Sequence, residues 1–156
     1  MIAQPGLRNI ALIVVLLALV ACGSQPPAAS RSQLHSPGDR AAAVALEQVG
    51  VPYRYGGSSP NGFDCSGLVQ FSYQAAGVNV PRTTGQLWSA ARAVDGNDVR
   101  PGDLLFFRIE GKMSHVGLYV GDGRFVHAPQ SGRSVSVASL DSPFYREALL
   151  RAGRVY

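Results

Sequence analysis

Apolar positions recur at helical spacing in the first half of the chain and at strand spacing in the second. Over residues 39–49, Ala42, Ala45, Leu46 and Val49 fall on one side of a 3.6-residue helix. Asp39 is placed to cap that helix and Gly50 to end it. After the loop VPYRYGGSSPNG, the helical period resumes at Cys65 with Leu68, Val69, Phe71, Ala75 and Ala76, and stops at Gly77. Asp64 is then the N-cap, which puts Cys65 in the first turn. A third, short helix is expected over 84–91, opened by the turn Pro81-Arg82-Thr83-Thr84. Beyond residue 100 the pattern reads as strands: 103–108, 115–120, 124–128, 134–137 and 149–155. The stretch SPFYREA, 142–148, reads as a helical turn between the last two. Helices followed by strands predict an α+β domain with an antiparallel sheet, and the short connections predict a meander.

The N-terminal pattern is different. Residues 10–20 are an unbroken apolar run of 11, preceded by the positive Arg8. About 20 residues are needed to cross a bilayer, so the run fits the core of a signal peptide over 1–21. It ends in LVAC, residues 19–22, which resembles the lipobox of bacterial lipoproteins. That resemblance implies cleavage before Cys22 and lipidation of its thiol and new amine; the alternative is an ordinary signal peptide cut near Ala21. Several acyl chains, at about 0.8 kcal/mol per buried methylene, would hold the chain on a membrane. Gly23 stands where many Gram-negative lipoproteins carry an inner-membrane retention aspartate, so the resemblance implies the outer membrane, facing the periplasm. Residues 22–38, rich in Ser, Pro, Ala and Gly, read as a flexible tether in which His35 is solvated. One domain, 39–156, remains, with no internal repeat.

Net charge falls from +4 to +3 once Arg8 leaves with the signal. The surplus is scattered, without a Lys/Arg run, which argues against nucleic acid as a partner. A mildly cationic surface suits an anionic polymer such as the cell wall.

Cysteine count brings in the chemistry. The chain has two cysteines, and lipidation would consume Cys22. Cys65 is then an exported thiol with no intramolecular partner, either a buried small apolar residue or a group kept for use. At a helix start, free backbone N–H groups and the dipole favour a thiolate, and a neighbouring imidazolium would lower its pKa further. Within the domain only His115 and His127 can supply that imidazole. A three-residue GDG loop with a bulge, 121–123, would set Gly117 opposite His127 and put His115 on the same face as its diagonal neighbour. A two-residue Asp-Gly turn would instead put the histidines on opposite faces. In the first register His115 can act as base toward Cys65, with His127 orienting it. A zinc site from the same three residues is the rival, but it has no compact spacing and no evident fourth ligand.

Four blocks carry a family resemblance: VPYRYGGSSPNGFDCSGLVQFSY (51–73), VPRTTGQ (80–86 with Val80), RPGDLLFF (100–107) and SHVGLYVGDGRFVHA (114–128). In order and content they resemble the NlpC/P60 family of cell-wall cysteine peptidases, over essentially all of 39–156. The resemblance implies a papain-like core, a nucleophile helix packed on an antiparallel sheet. It also implies that Cys65 is the nucleophile, His115 the base and His127 the third polar residue. Tyr53 would serve the oxyanion hole, and Asp64, Ser66 and Arg82 would line the substrate cleft. On residue type alone, Tyr53 could equally be a core aromatic and Arg82 a solvated charge. The function implied is hydrolysis of peptidoglycan stem-peptide bonds involving diaminopimelate, without metal or cofactor. Similarity to small outer-membrane murein endopeptidase lipoproteins favours the D,D cross-link over the D-Glu–diaminopimelate bond. Alternatives are a non-catalytic peptidoglycan-binding or regulatory lipoprotein, or an amidase or acyltransferase on the same fold. The partners expected are stem peptides, the membrane through Cys22, and a regulatory protein, with the chain itself a monomer.

Overall fold

The computed structural model describes residues 36–156, and the first feature in that span is a helix cap. The expected signal segment, Cys22 and the tether as far as His35 lie outside the described residues. Ser36, not Asp39, caps helix α1 (Pro37–Glu47). Pro37 fits the first helical position because its missing N–H would be unpaired there anyway. Asp39 sits at the third position and closes a capping box, its carboxylate accepting from the Ser36 amide at 2.8 Å. Helix α2 (Cys65–Ala75) is capped by Asp64, as its sequence predicts, and α3 (Thr84–Ala90) by Thr83. Between α1 and α2 the loop forms a small hairpin, β1 (Ser58–Ser59) with β2 (Gly62–Phe63).

The remaining strands are β3 (Arg92–Val94), β4 (Leu104–Ile109), β5 (Lys112–Gly121), β6 (Arg124–His127), β7 (Ser136–Ser139) and β8 (Leu149–Arg154), with helix α4 (Pro143–Ala148) before the last. They form one antiparallel sheet in the order β3-β8-β4-β5-β6-β7. The expected meander holds for β4 to β7 only. β8 pairs with β4 rather than β7, because α4 packs across one face of the sheet and carries the chain to its far side. β3, too short to show a period in sequence, extends that edge.

Alternation along the strands separates two faces. Leu104 and Phe106 of β4, Val116 and Leu118 of β5 and Val126 of β6 join Ala41, Ala45, Leu68, Val69, Tyr73 and Leu87 from the three N-terminal helices. Each fully buried leucine there contributes about 1.5–3 kcal/mol. Leu105, Phe107, Phe125 and Ala152 form the other face, covered by Tyr145, Ala148 and Leu149. Where β4 begins and β8 ends, buried Asp103 receives a two-point ion pair from Arg154, with both N···O distances 2.7 Å.

Candidate active site

Cys65 owes its position to the cap before it. The Asp64 Oδ1 accepts from the Gly67 amide at 2.7 Å and from Arg82 Nη1 at 2.9 Å, while Oδ2 accepts from Arg82 Nη2 at 2.7 Å and the Gly56 amide at 3.0 Å. Arg82 Nη1 also donates to Ser66 Oγ at 2.9 Å. The carboxylate thus ties two segments, the Gly56 loop and the Arg82 turn, to the helix start, and Arg82 is bound to it at two points rather than solvated as a lone charge. The loop can come this close because residue 67 is glycine: a Cβ there would lie 1.9 Å from the Gly57 carbonyl oxygen. Tyr53, Asp64, Cys65, Ser66, Arg82 and Thr84 line one side of the cleft.

Both histidines project from the face of the sheet opposite the three helices. The turn between β5 and β6 is the two-residue one, Asp122 and Gly123, at φ of 52° and 67°. By itself that turn would separate the histidines. An extra residue in β5, between Tyr119 and Gly121, shifts the register by one and returns both to the same face. The expected arrangement is therefore present, with the bulge in the strand rather than the loop. His115 Nε2 and His127 Nδ1 lie 2.8 Å apart. Phe125, packed 5.0 Å from His127, lies over Gly117, where a Cβ would meet its ring at 2.6 Å. His115, His127, Cys65, Tyr53, Ser114 and Tyr145 line a cleft of about 230 Å³.

Burial sets the charge states. His115 is pushed down to about 4 by desolvation, and His127 to about 3 by desolvation and then by His115. Both rings are neutral at pH 7. Burial also pushes the Cys65 thiol up, assisted by the Asp64 carboxylate and opposed by the Thr84 hydroxyl and the backbone N–H groups of Val116 and Ser66. The lowering anticipated from the helix start does not prevail, because burial of the sulfur outweighs it. No hydrogen bond joins the sulfur to His115; its contacts are Thr84 Oγ1 at 3.6 Å and the Ser114 carbonyl at 3.9 Å. Catalytic hydrogen bonds are often long before substrate arrives. The bond to His127 leaves Nδ1 as the ring nitrogen of His115 with no hydrogen bond among the described residues.

The pairing of Nε2 and Nδ1 also disfavours the zinc alternative, since a metal bound to both histidines would have to break it. Among the described residues no group of three or more His, Cys, Asp or Glu side chains is arranged to hold a metal ion.

Each site residue expected within the domain borders this cleft or its support; Cys22 lies outside the described residues. Two contributors were not anticipated. Thr84, which touches the sulfur, lies in the VPRTTGQ block beside Arg82, and that placement was its signal. Tyr145, whose hydroxyl lies 3.4 Å from His127 Nε2, gave only the signal of a helical turn.

The model of the NlpC/P60 family matches residues 50–154. The chain is 39% identical over 116 residues to the murein DD-endopeptidase MepH of Escherichia coli K12, covering 70% of this chain and 43% of that one. It is 40% identical over 111 residues to the gamma-D-glutamyl-L-lysine dipeptidyl-peptidase of Bacillus subtilis 168, covering 69% and 38%. It therefore spans less than half the length of these curated relatives. The crystal structure of an NlpC/P60 family protein from Bacillus cereus superposes with a TM-score of 0.70 at 36% identity, covering 76% of this chain and 40% of that one. With a helix-start thiol, a paired imidazole dyad on an antiparallel sheet and this match over most of its length, the chain belongs to the NlpC/P60 family.

Proposed function

We propose that this chain is a peptidoglycan endopeptidase that cuts stem peptides through a thioester on Cys65. The observation that carries the reading is a single cleft holding both the helix-start thiol and the coupled histidines. Cys65 Sγ attacks the scissile carbonyl as His115 Nδ1 takes the thiol proton. Because the thiol and both rings begin neutral, this transfer accompanies attack rather than preceding it. The resulting imidazolium gives its proton to the leaving amine, and a thioester remains. Water then attacks, His115 accepts its proton, and collapse releases the carboxylate and restores the thiol. His127 holds the His115 ring through Nε2. Tyr53 and backbone N–H groups near Cys65 stabilise the oxyanion. Asp64, Ser66 and Arg82 shape the cleft and meet polar groups of the peptide.

Relatives in this family are named for D,D-cleavage and for γ-D-glutamyl cleavage. For this chain we propose the D,D cross-link, the bond class for which its relative MepH is named. The lipobox-like LVAC supports anchorage through Cys22, and Gly23, in place of a retention aspartate, favours the outer membrane. No step calls for a cofactor.

The test is mass spectrometry of peptidoglycan fragments after incubation with the full chain, beside Cys65→Ala. Cross-linked dimers turning into monomers are expected. Shortened stems would assign the D-Glu–diaminopimelate bond instead, and products that persist with Cys65→Ala would overturn the mechanism. No product from the intact protein would favour a binding module.

A further inference from the structure

Tyr145 sits at the outer end of the polar chain that begins at His115. His115 Nε2 pairs with His127 Nδ1 at 2.8 Å, and His127 Nε2 lies 3.4 Å from the Tyr145 hydroxyl. A neutral imidazole carries one N–H, so the three groups admit two arrangements. In the first, His115 Nε2–H donates to His127 Nδ1, His127 Nε2–H donates to the tyrosine oxygen, and His115 Nδ1 keeps a lone pair. In the second, the tyrosine O–H donates to His127 Nε2 and His127 Nδ1–H donates to His115 Nε2. His115 then carries its proton on Nδ1 and cannot accept one from a thiol.

We propose that Tyr145 is a positioning residue that accepts from His127 Nε2–H, and so fixes the tautomer in which His115 Nδ1 is a base. The proposal rests on the Cys65–His115 reading above. Tyr145 borders two clefts, one holding Cys65 and the other running past Arg133 and Ser134. Its hydroxyl proton therefore has solvent to donate to, which leaves a lone pair for His127. Ring packing fixes the hydroxyl's place: Tyr145 stands edge-on to Phe125 at 5.0 Å, to Phe107 at 5.6 Å and to His127 at 5.4 Å. The 3.4 Å contact is long for a neutral pair and shortens as charge develops on the dyad during proton transfer.

Tyr145→Phe keeps the ring and deletes the oxygen, so packing and tautomer control come apart. The experiment uses the full chain with ¹⁵N-labelled histidine, read by NMR at about pH 8, where both rings are neutral. In the wild type both histidines are expected as Nε2–H. In Tyr145→Phe both should become tautomer mixtures, with kcat down roughly tenfold, KM little changed and the melting temperature held. In a His127→Ala background the same substitution should have no further effect on kcat, because its route of action is gone. Wild-type tautomers in Tyr145→Phe, or a loss of kcat that persists without His127, would overturn the proposal. The tautomer spectrum decides Tyr145's part even if the wild-type chain cuts no peptidoglycan, an outcome that would instead overturn the site reading.

Discussion

On one face of the sheet Leu104, Phe106, Val116, Leu118 and Val126 lie beneath three helices; on the other, Phe107, Phe125, His115 and His127 lie beneath the six-residue α4. The same strands supply both, one residue out of step. The covered face is apolar and fully buried, and its packing holds α2 in place so that Cys65 is presented at the cleft. The other face is aromatic and thinly covered, so its rings bury the imidazoles without sealing the cleft. Stability should therefore track the first face and chemistry the second.

That division can be broken by substitution. Cys65→Ala should abolish cleavage while leaving the melting temperature unchanged, checked by calorimetry beside the fragment assay. Leu118→Ala, on the covered face, should cost about 2–5 kcal/mol in urea unfolding, with the remaining folded protein still active. A comparable loss from Cys65→Ala would erase the distinction.

A third prediction concerns pH. The folded pKa values of His115 and His127 lie below the ordinary 6.5, so the unfolded chain binds protons that the folded chain refuses. Stability should be flat above about pH 6.5 and fall as pH drops from there toward 4, with His115 accounting for about 3 kcal/mol. His115→Gln should flatten this fall in thermal melts; an unchanged slope would mean that the ring is not buried neutral. His127→Ala should reduce kcat by about 10²-fold without abolishing it, and an unaltered rate would remove His127 from the site. The smallest effect belongs to Thr84→Val. Loss of its hydroxyl should move the pH midpoint of Cys65 alkylation upward, read with iodoacetamide, whereas a downward move would reverse its assigned influence.

Much of the site was legible in the chain because it depends on local rules. Asp64 before Cys65 is a capping signal, and period-2 spacing brings two histidines together once the hairpin register is set. The bulge, however, compensates the two-residue turn, which the sequence left open beside the three-residue loop. The start of α1 was misread because Asp39 is as good a cap as Ser36 until Pro37 is counted. Tertiary consequences stayed hidden. The place of β8 beside β4 follows from α4 crossing a face, and the thiol's raised pKa follows from burial that no spacing encodes. Tyr145 reaches His127, 18 residues away in the chain, through tertiary packing that no local spacing encodes.

If Cys65 carries the acyl group, intact-protein mass spectrometry of an acid-quenched reaction with muropeptides will catch it there. A wild-type species heavier by the acyl portion of the stem peptide is expected, mapped to the Cys65 peptide and discharged by hydroxylamine as a thioester is. Steady cleavage with no adduct on Cys65, and with the rate kept in Cys65→Ala, would contradict it.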